Sequence, residues 1–174
     1  MDFWGNIEHP WEAEPRAVFN TVEGYHIVVY RSQLGNLNGY VGVKRDHPLY
    51  GLPMNNKKLA CLSVHGGVTF AGKIDWDSSF KNKYWYIGFD TAHYMDLVPS
   101  MYKMNREMGF PPMADGVYRD MQYVSNEVNL LASQIRIIKK RNPNFKLTHV
   151  QEYRRLRRIK DRDKKLRQSI LKGL

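Results

Sequence analysis

Cysteine is almost absent: Cys61 is the only one in 174 residues. That excludes an internal disulfide framework and any multi-cysteine zinc site, and a reducing cytoplasm is the default compartment. No apolar run approaches the roughly 20 residues of a membrane-spanning helix. The opening Met1-Asp2-Phe3-Trp4 lacks the basic-then-apolar layout of a signal peptide. There is no internal repeat, no low-complexity tract, no metal motif of recognised spacing and no standard nucleic-acid recognition motif. The expectation is a soluble protein without membrane contact.

Aromatic residues are plentiful. Eleven Tyr, seven Phe and four Trp supply enough buried area for one globular domain without a metal or disulfide staple. The net charge of +10 suggests a polyanion partner, but it is unevenly placed. Residues 136–172 hold 15 of the 27 Lys and Arg with three acids, whereas the rest of the chain carries 12 basic and 14 acidic residues. Affinity for nucleic acid is therefore expected only in residues 144–172, with a solvated or partner-docking helix as the competing reading.

Residues 1–20, with Pro10, Pro15 and no periodicity, read as an irregular arm; 21–142 form a body and 143–174 a basic helical tail. Within the body, His26 to Arg31 and Tyr40 to Lys44 predict a hairpin. Leu62 to His65 and Tyr84 to Phe89 predict two more strands, with loops over 75–79 and 99–112. Val117, Met121, Val124, Val128, Leu131, Ile135 and Ile138 recur at spacings of four and three. They predict an amphipathic helix ending near Asn142, before Pro143. The fold class is α+β: a small, mostly antiparallel sheet packed against one long helix, followed by a basic C-terminal helix.

Polar residues and glycines concentrate where these strands end. His47, His65 with Gly66-Gly67 and Thr69, Asp90 with His93, and Asp96 form four groups; Arg119, Asp120, Tyr123 and Glu127 form a fifth at the start of the long helix. Asp120, Tyr123 and Glu127 share one helix face bordering the apolar stripe, where carboxylates are partly desolvated. Each piece has a structural alternative. A histidine at a strand end is often a satisfied core residue, Asp90 suits a helix cap, and paired glycines often serve a turn. Together they suggest a pocket in which His65, Asp90, His93, Asp120 and Glu127 are the catalytic candidates. His47, Gly66, Gly67, Thr69, Asp96, Arg119 and Tyr123 are the binding candidates.

The segments Asn38-Gly39-Tyr40-Val41, His47-Pro48-Leu49-Tyr50-Gly51, Val64 to Phe70, Gly88 to His93, and Tyr118-Arg119-Asp120 with Tyr123-Val124 and Glu127 carry a resemblance. In combination they resemble a family of small proteins encoded by bacteriophages and prophages, over about residues 38–135. The resemblance implies a phage context and the cytoplasm of a bacterial host; it brings no reaction and no catalytic roles.

The residues lead to a protein that binds, and on the enzyme reading of the phosphodiesterase or nucleotide-hydrolase type hydrolyses, a small phosphate-containing or nucleotide-like ligand, and the resemblance implies that it is host-directed. His65 or His93 would serve as general base, or the carboxylates and histidines would hold a divalent metal. Arg119 and the Gly66-Gly67 amides would stabilise negative charge. The alternatives are a non-enzymatic sequestering or inhibitor protein, with a base stacked on Tyr and Trp, and a nucleic-acid-binding protein acting through its tail. Cofactor, metal and oligomeric state are left open.

Overall fold

A computed structural model describes residues 9–22, 24–76, 83–111 and 116–140. The expected basic tail and its helix, and most of the first ten residues, lie outside the described residues. The elements run α1 (Pro10–Ala13), β1 (Ala17–Val22), β2 (Tyr25–Arg31), β3 (Leu37–Val43), α2 (Lys57–Ala60), β4 (Phe70–Gly72), β5 (Trp85–Phe89), α3 (Pro99–Glu107) and α4 (Met121–Lys140). The strands form one five-stranded sheet in the order β1-β2-β3-β5-β4, every neighbouring pair antiparallel. The chain is an α+β protein. Among the described residues no helix is long and apolar enough to cross a membrane.

Two-residue periodicity sorts the strands onto two buried faces. On one, Ile27 pairs with Val41, Val41 with Ile87, and Gly39 lies between Val29 and Phe89. Their side chains meet Val124, Val128, Leu131 and Ile135 of α4 in one core. Gly39 leaves room for the helix and the Phe89 ring: a Cβ there would stand 2.6 Å from that ring and 3.3 Å from Val128 Cβ. The opposite face gathers Val28, Tyr40, Tyr84 and Tyr86, with the Trp76 ring seated among those of Tyr30, Tyr40 and Tyr86.

Several elements differ from the sequence expectation. Residues 10–13 are helical, and 17–22 form a strand pairing with β2 from Ala17↔Tyr30 to Val22↔Tyr25, so much of the expected irregular arm belongs to the fold. Edge strand β1 is almost wholly exposed, which is why no buried/polar alternation marks it. Pro99–Glu107 is a helix with Pro at its first turn rather than a loop. The long helix begins at Met121, not Val117. Its first turn is closed by two carboxylates: Asp120 Oδ1 accepts from Tyr123 N at 2.7 Å, and Glu14 Oε1 accepts from Met121 N at 2.7 Å.

Leu62 to Val64 belong to no strand and His65 lies in a turn; the strand lies later, at Phe70–Gly72. Side chains of α4 take the partner's role. The Gln134 amide accepts from Ser63 N at 2.8 Å and donates to Ser63 O at 2.8 Å, while Glu127 Oε2 accepts from His65 N at 2.9 Å. Gln134 and Glu127 are seven residues apart, two turns on one helix face. The buried backbone is thus satisfied without a ladder.

Candidate functional site

Asp96 organises the polar cluster. An isolated parallel bridge joins it to Val117, with Val117 N donating to Met95 O and Leu97 N to Val117 O. That pairing brings Arg119, two residues on, against the carboxylate. Asp96 Oδ1 accepts from Arg119 Nε at 2.8 Å; Oδ2 stands 2.7 Å from His65 Nε2 and accepts from His93 N at 3.1 Å. Its side chain is only 1% exposed. Burial opposes the charged form, but the hydrogen bonds from Arg119, His65 and the His93 amide outweigh it and hold the carboxyl below its usual range. Asp96 is therefore an ionised, acceptor-only group.

That fixes His65. An ionised carboxylate offers no proton, so Nε2 carries the hydrogen that it accepts. In the neutral ring Nδ1 is then an acceptor, and Tyr123 Oη lies 3.0 Å from it. The Arg119 guanidinium sits 4.9 Å from the centre of the Tyr123 ring. Arg119 uses Nε on Asp96, and among the described residues no hydrogen bond occupies its Nη groups. The His93 ring lies 5.4 Å from that of His65, and its Nε2 is 3.6 Å from Asp90 Oδ1. His93 and Asp90 side chains are each one-third exposed (33%), against 12% for His65 and 24% for Arg119. The result is a partly open surface over a buried, ionised carboxylate.

Of the residues singled out from sequence, His65, Asp90, His93, Asp96, Arg119, Tyr123 and Glu127 come together. Glu127 is buried and holds the His65 amide, a positioning task. Asp90 also closes its own turn, accepting from Ala92 N at 3.0 Å, while its amide donates to Thr69 Oγ1 at 3.1 Å. Thr69 thus steadies the Asp90 turn. Three expectations are corrected. Asp120 caps α4, where the unpaired amides of the first turn draw it. Gly67 N donates to Val64 O at 3.0 Å, so the glycines do not present two free amides. Gly66 (φ +64°) is required instead because the His93 ring lies where its Cβ would be. Tyr123 is the aromatic ring that Arg119 meets among the described residues; the rings of Tyr30, Tyr40, Phe70, Trp76, Tyr84 and Tyr86 gather on the far face of the sheet, and Trp11 packs against Tyr102 and Tyr118.

His47 is the third correction. It is buried, with Nδ1 accepting from Leu49 N at 3.1 Å and Nε2 3.2 Å from Ile135 O. Ile135 is 12 residues beyond Tyr123, about 18 Å along the helix. Burial, with Lys139 as a further contribution, pushes the His47 imidazole below its ordinary range, against the hydrogen bond to Ile135 O. A histidine kept neutral on folding stabilises the native state above the unfolded value of about 6.5, and that contribution is lost as pH falls toward the depressed folded value. The urea midpoint will therefore be lower at about pH 5 than at pH 8, and the difference will shrink in His47→Gln. Superimposable pH profiles would assign the acid sensitivity to other groups.

Among the described residues no group of three or more His, Cys, Asp and Glu could hold a metal ion. Sequence reasoning did not single out Gln134, Glu14 or Arg31. Gln134 was discoverable, since it continues the face of Tyr123 and Glu127 by two turns; Glu14 and Arg31 carried no spacing signal. Comparison with protein-family models, with curated proteins and with solved structures finds no match.

Proposed function

We propose that the surface formed by His65, His93, Arg119 and Tyr123 binds a small phosphate-containing or nucleotide-like ligand and hydrolyses it. The supporting observation is the single buried carboxylate of Asp96, which orients an imidazole through Nε2 and a guanidinium through Nε while leaving the outer Nη groups of Arg119 without hydrogen-bond partners among the described residues. A guanidinium held in this way matches phosphate oxygens, and the adjacent His93 ring adds a second donor. The resemblance to phage-encoded proteins supports a role in the cytoplasm of an infected bacterium. There the ligand would be a host nucleotide or nucleotide-like signal.

Titration calorimetry with inorganic phosphate, nucleoside 5′-monophosphates and a cyclic dinucleotide tests this. At least one nucleotide should bind, and His93→Ala should weaken it at least tenfold, about 1.4 kcal/mol, with an unchanged melting temperature. Failure of all probes to bind below about 1 mM, or a variant that binds as the parent does, would sink the proposal. Binding without turnover would favour a sequestering protein over a hydrolase.

A further inference from the structure

We propose that Tyr123 is the nucleophile of this site, attacking phosphorus in a phosphodiester to form a transient phosphotyrosyl ester; the proposal rests on the anionic-ligand reading above. The reason lies in how His65 is engaged. Its Nε2 faces Asp96 at 2.7 Å and its Nδ1 faces Tyr123 Oη at 3.0 Å. No ring nitrogen is left to take a proton from water. The one group that this base can deprotonate is the Tyr123 phenol.

A phenol with an ordinary pKa near 10 is a poor nucleophile at neutral pH and needs an adjacent base. Nucleophile, base and orienting carboxylate stand here in a line, each step within hydrogen-bond reach, and the ionised carboxylate sets the tautomer. The Arg119 guanidinium, 4.9 Å from the Tyr123 ring centre, stabilises the developing phenolate, and its Nη groups can hold the non-bridging phosphate oxygens. The dipole of α4 adds little, because Glu14 and Asp120 already close its first turn. His93 lies beside His65 with its Nε2 buried against Gly66 and near Asp90, which leaves its Nδ1 to protonate a leaving oxygen.

In the first step the Tyr123 Oη–P bond forms and the bond from phosphorus to the leaving oxygen breaks. The phenol proton passes to His65 Nδ1, and protonated His93 gives its proton to the leaving alcohol. In the second, water attacks phosphorus and yields a proton to His93. The Oη–P bond breaks, and His65 returns its proton to Tyr123. The sum is one diester and one water converted to a monoester and an alcohol.

Two in-line displacements retain configuration at phosphorus, whereas direct attack by water inverts it. The probe is the Rp diastereomer of thymidine 5′-(p-nitrophenyl phosphorothioate), hydrolysed in ¹⁸O-water with and without magnesium, alongside calorimetry with thymidine 5′-monophosphate. Retention is expected, together with a loss of at least ~100-fold in p-nitrophenol release for a Tyr123→Phe variant that melts as the parent does. His65→Gln should lose turnover similarly, which guards against a misfolded Phe variant. Inversion, or turnover that survives in Tyr123→Phe, overturns the nucleophile. Monophosphate binding with no turnover of the diester also overturns it while leaving the binding reading intact; absence of both binding and turnover overturns both.

Discussion

Asp96→Ala will lower stability by about 3 kcal/mol and abolish the proposed ligand binding, because it leaves buried donors facing a cavity. The carboxylate accepts from Arg119 Nε, from the His93 amide and from His65 Nε2, and the substitution removes every one of those acceptors. Asp96→Asn will be nearly as damaging. An amide keeps one oxygen but turns an NH₂ toward either His65 or Arg119, both already donors. Acid should show the same dependence in the parent protein. A carboxyl whose folded pKa is depressed contributes stability that is complete above its unfolded value of about 3.9 and lost as pH falls through the folded value. The parent will therefore lose more stability between about pH 5 and pH 2 than Asp96→Ala does. Chemical denaturation across that range measures it, and equal losses would mean that the hydrogen bonds to Asp96 carry no net stability. His65 ¹⁵N shifts provide a second reading, since without Asp96 the fixed tautomer should give way to a mixture.

Glu14→Ala will be comparably severe, by about 3 kcal/mol, although Glu14 lies in a segment with no obvious sequence signal. Its Oε1 accepts from Met121 N, and its Oε2 accepts from Tyr118 Oη at 2.6 Å and from Arg31 Nη2 at 2.9 Å. Arg31 Nη1 also donates to Tyr118 Oη and to Gly35 O. One carboxylate thus ties the chain before β1 to the end of β2 and to the start of α4. Removing it costs a helix cap and an ion pair that is mostly buried. The melting temperature should fall by roughly 6–12 °C for a chain of this size. The Tyr118 phenol gives a spectroscopic check. Burial first, and then the bond to Glu14, push it up to about 12, against the opposing effect of Arg31. A raised phenol stabilises the fold fully below its unfolded value of about 10, a contribution lost as pH rises through the folded value. In Glu14→Ala the Tyr118 phenol, isolated in ultraviolet absorbance by difference from the corresponding Tyr118→Phe protein, should titrate at lower pH; an unchanged curve and melt would show that the Glu14 network is not formed in solution.

What the chain made legible depended on repetition. Helix α4 buries one side at a regular period, and β2, β3 and β5 are runs of branched and aromatic residues buried on both faces, so Ile27, Val29, Val41 and the Val124 to Ile138 stripe announce their elements. Edge strand β1 buries almost nothing and announces nothing. Leu62 to His65 alternates as a strand would, yet its partners are the side chains of Gln134 and Glu127, and nothing in local periodicity separates that from a ladder. Within the site, His65, His93, Asp90 and the acids of α4 were visible as chemistry gathered at element ends. The link that assembles them was not. Asp96 reaches Arg119 through the bridge to Val117, a pairing across more than 20 residues that leaves no local trace, and the Asp120 and Glu127 carboxylates go to backbone amides instead of a ligand.

The side-chain fastening of residues 62–65 sets where this molecule can loosen. A segment held in a sheet opens only when neighbouring hydrogen bonds unzip with it, whereas one pinned by Gln134 and Glu127 can be released by two rotamer changes while strands and helix stay intact. Leu62 and Val64 remain buried anchors, so the freedom falls on the His65 end. Release of His65 from Tyr123 and Asp96 therefore calls on side chains alone, separately from the endurance of the sheet itself.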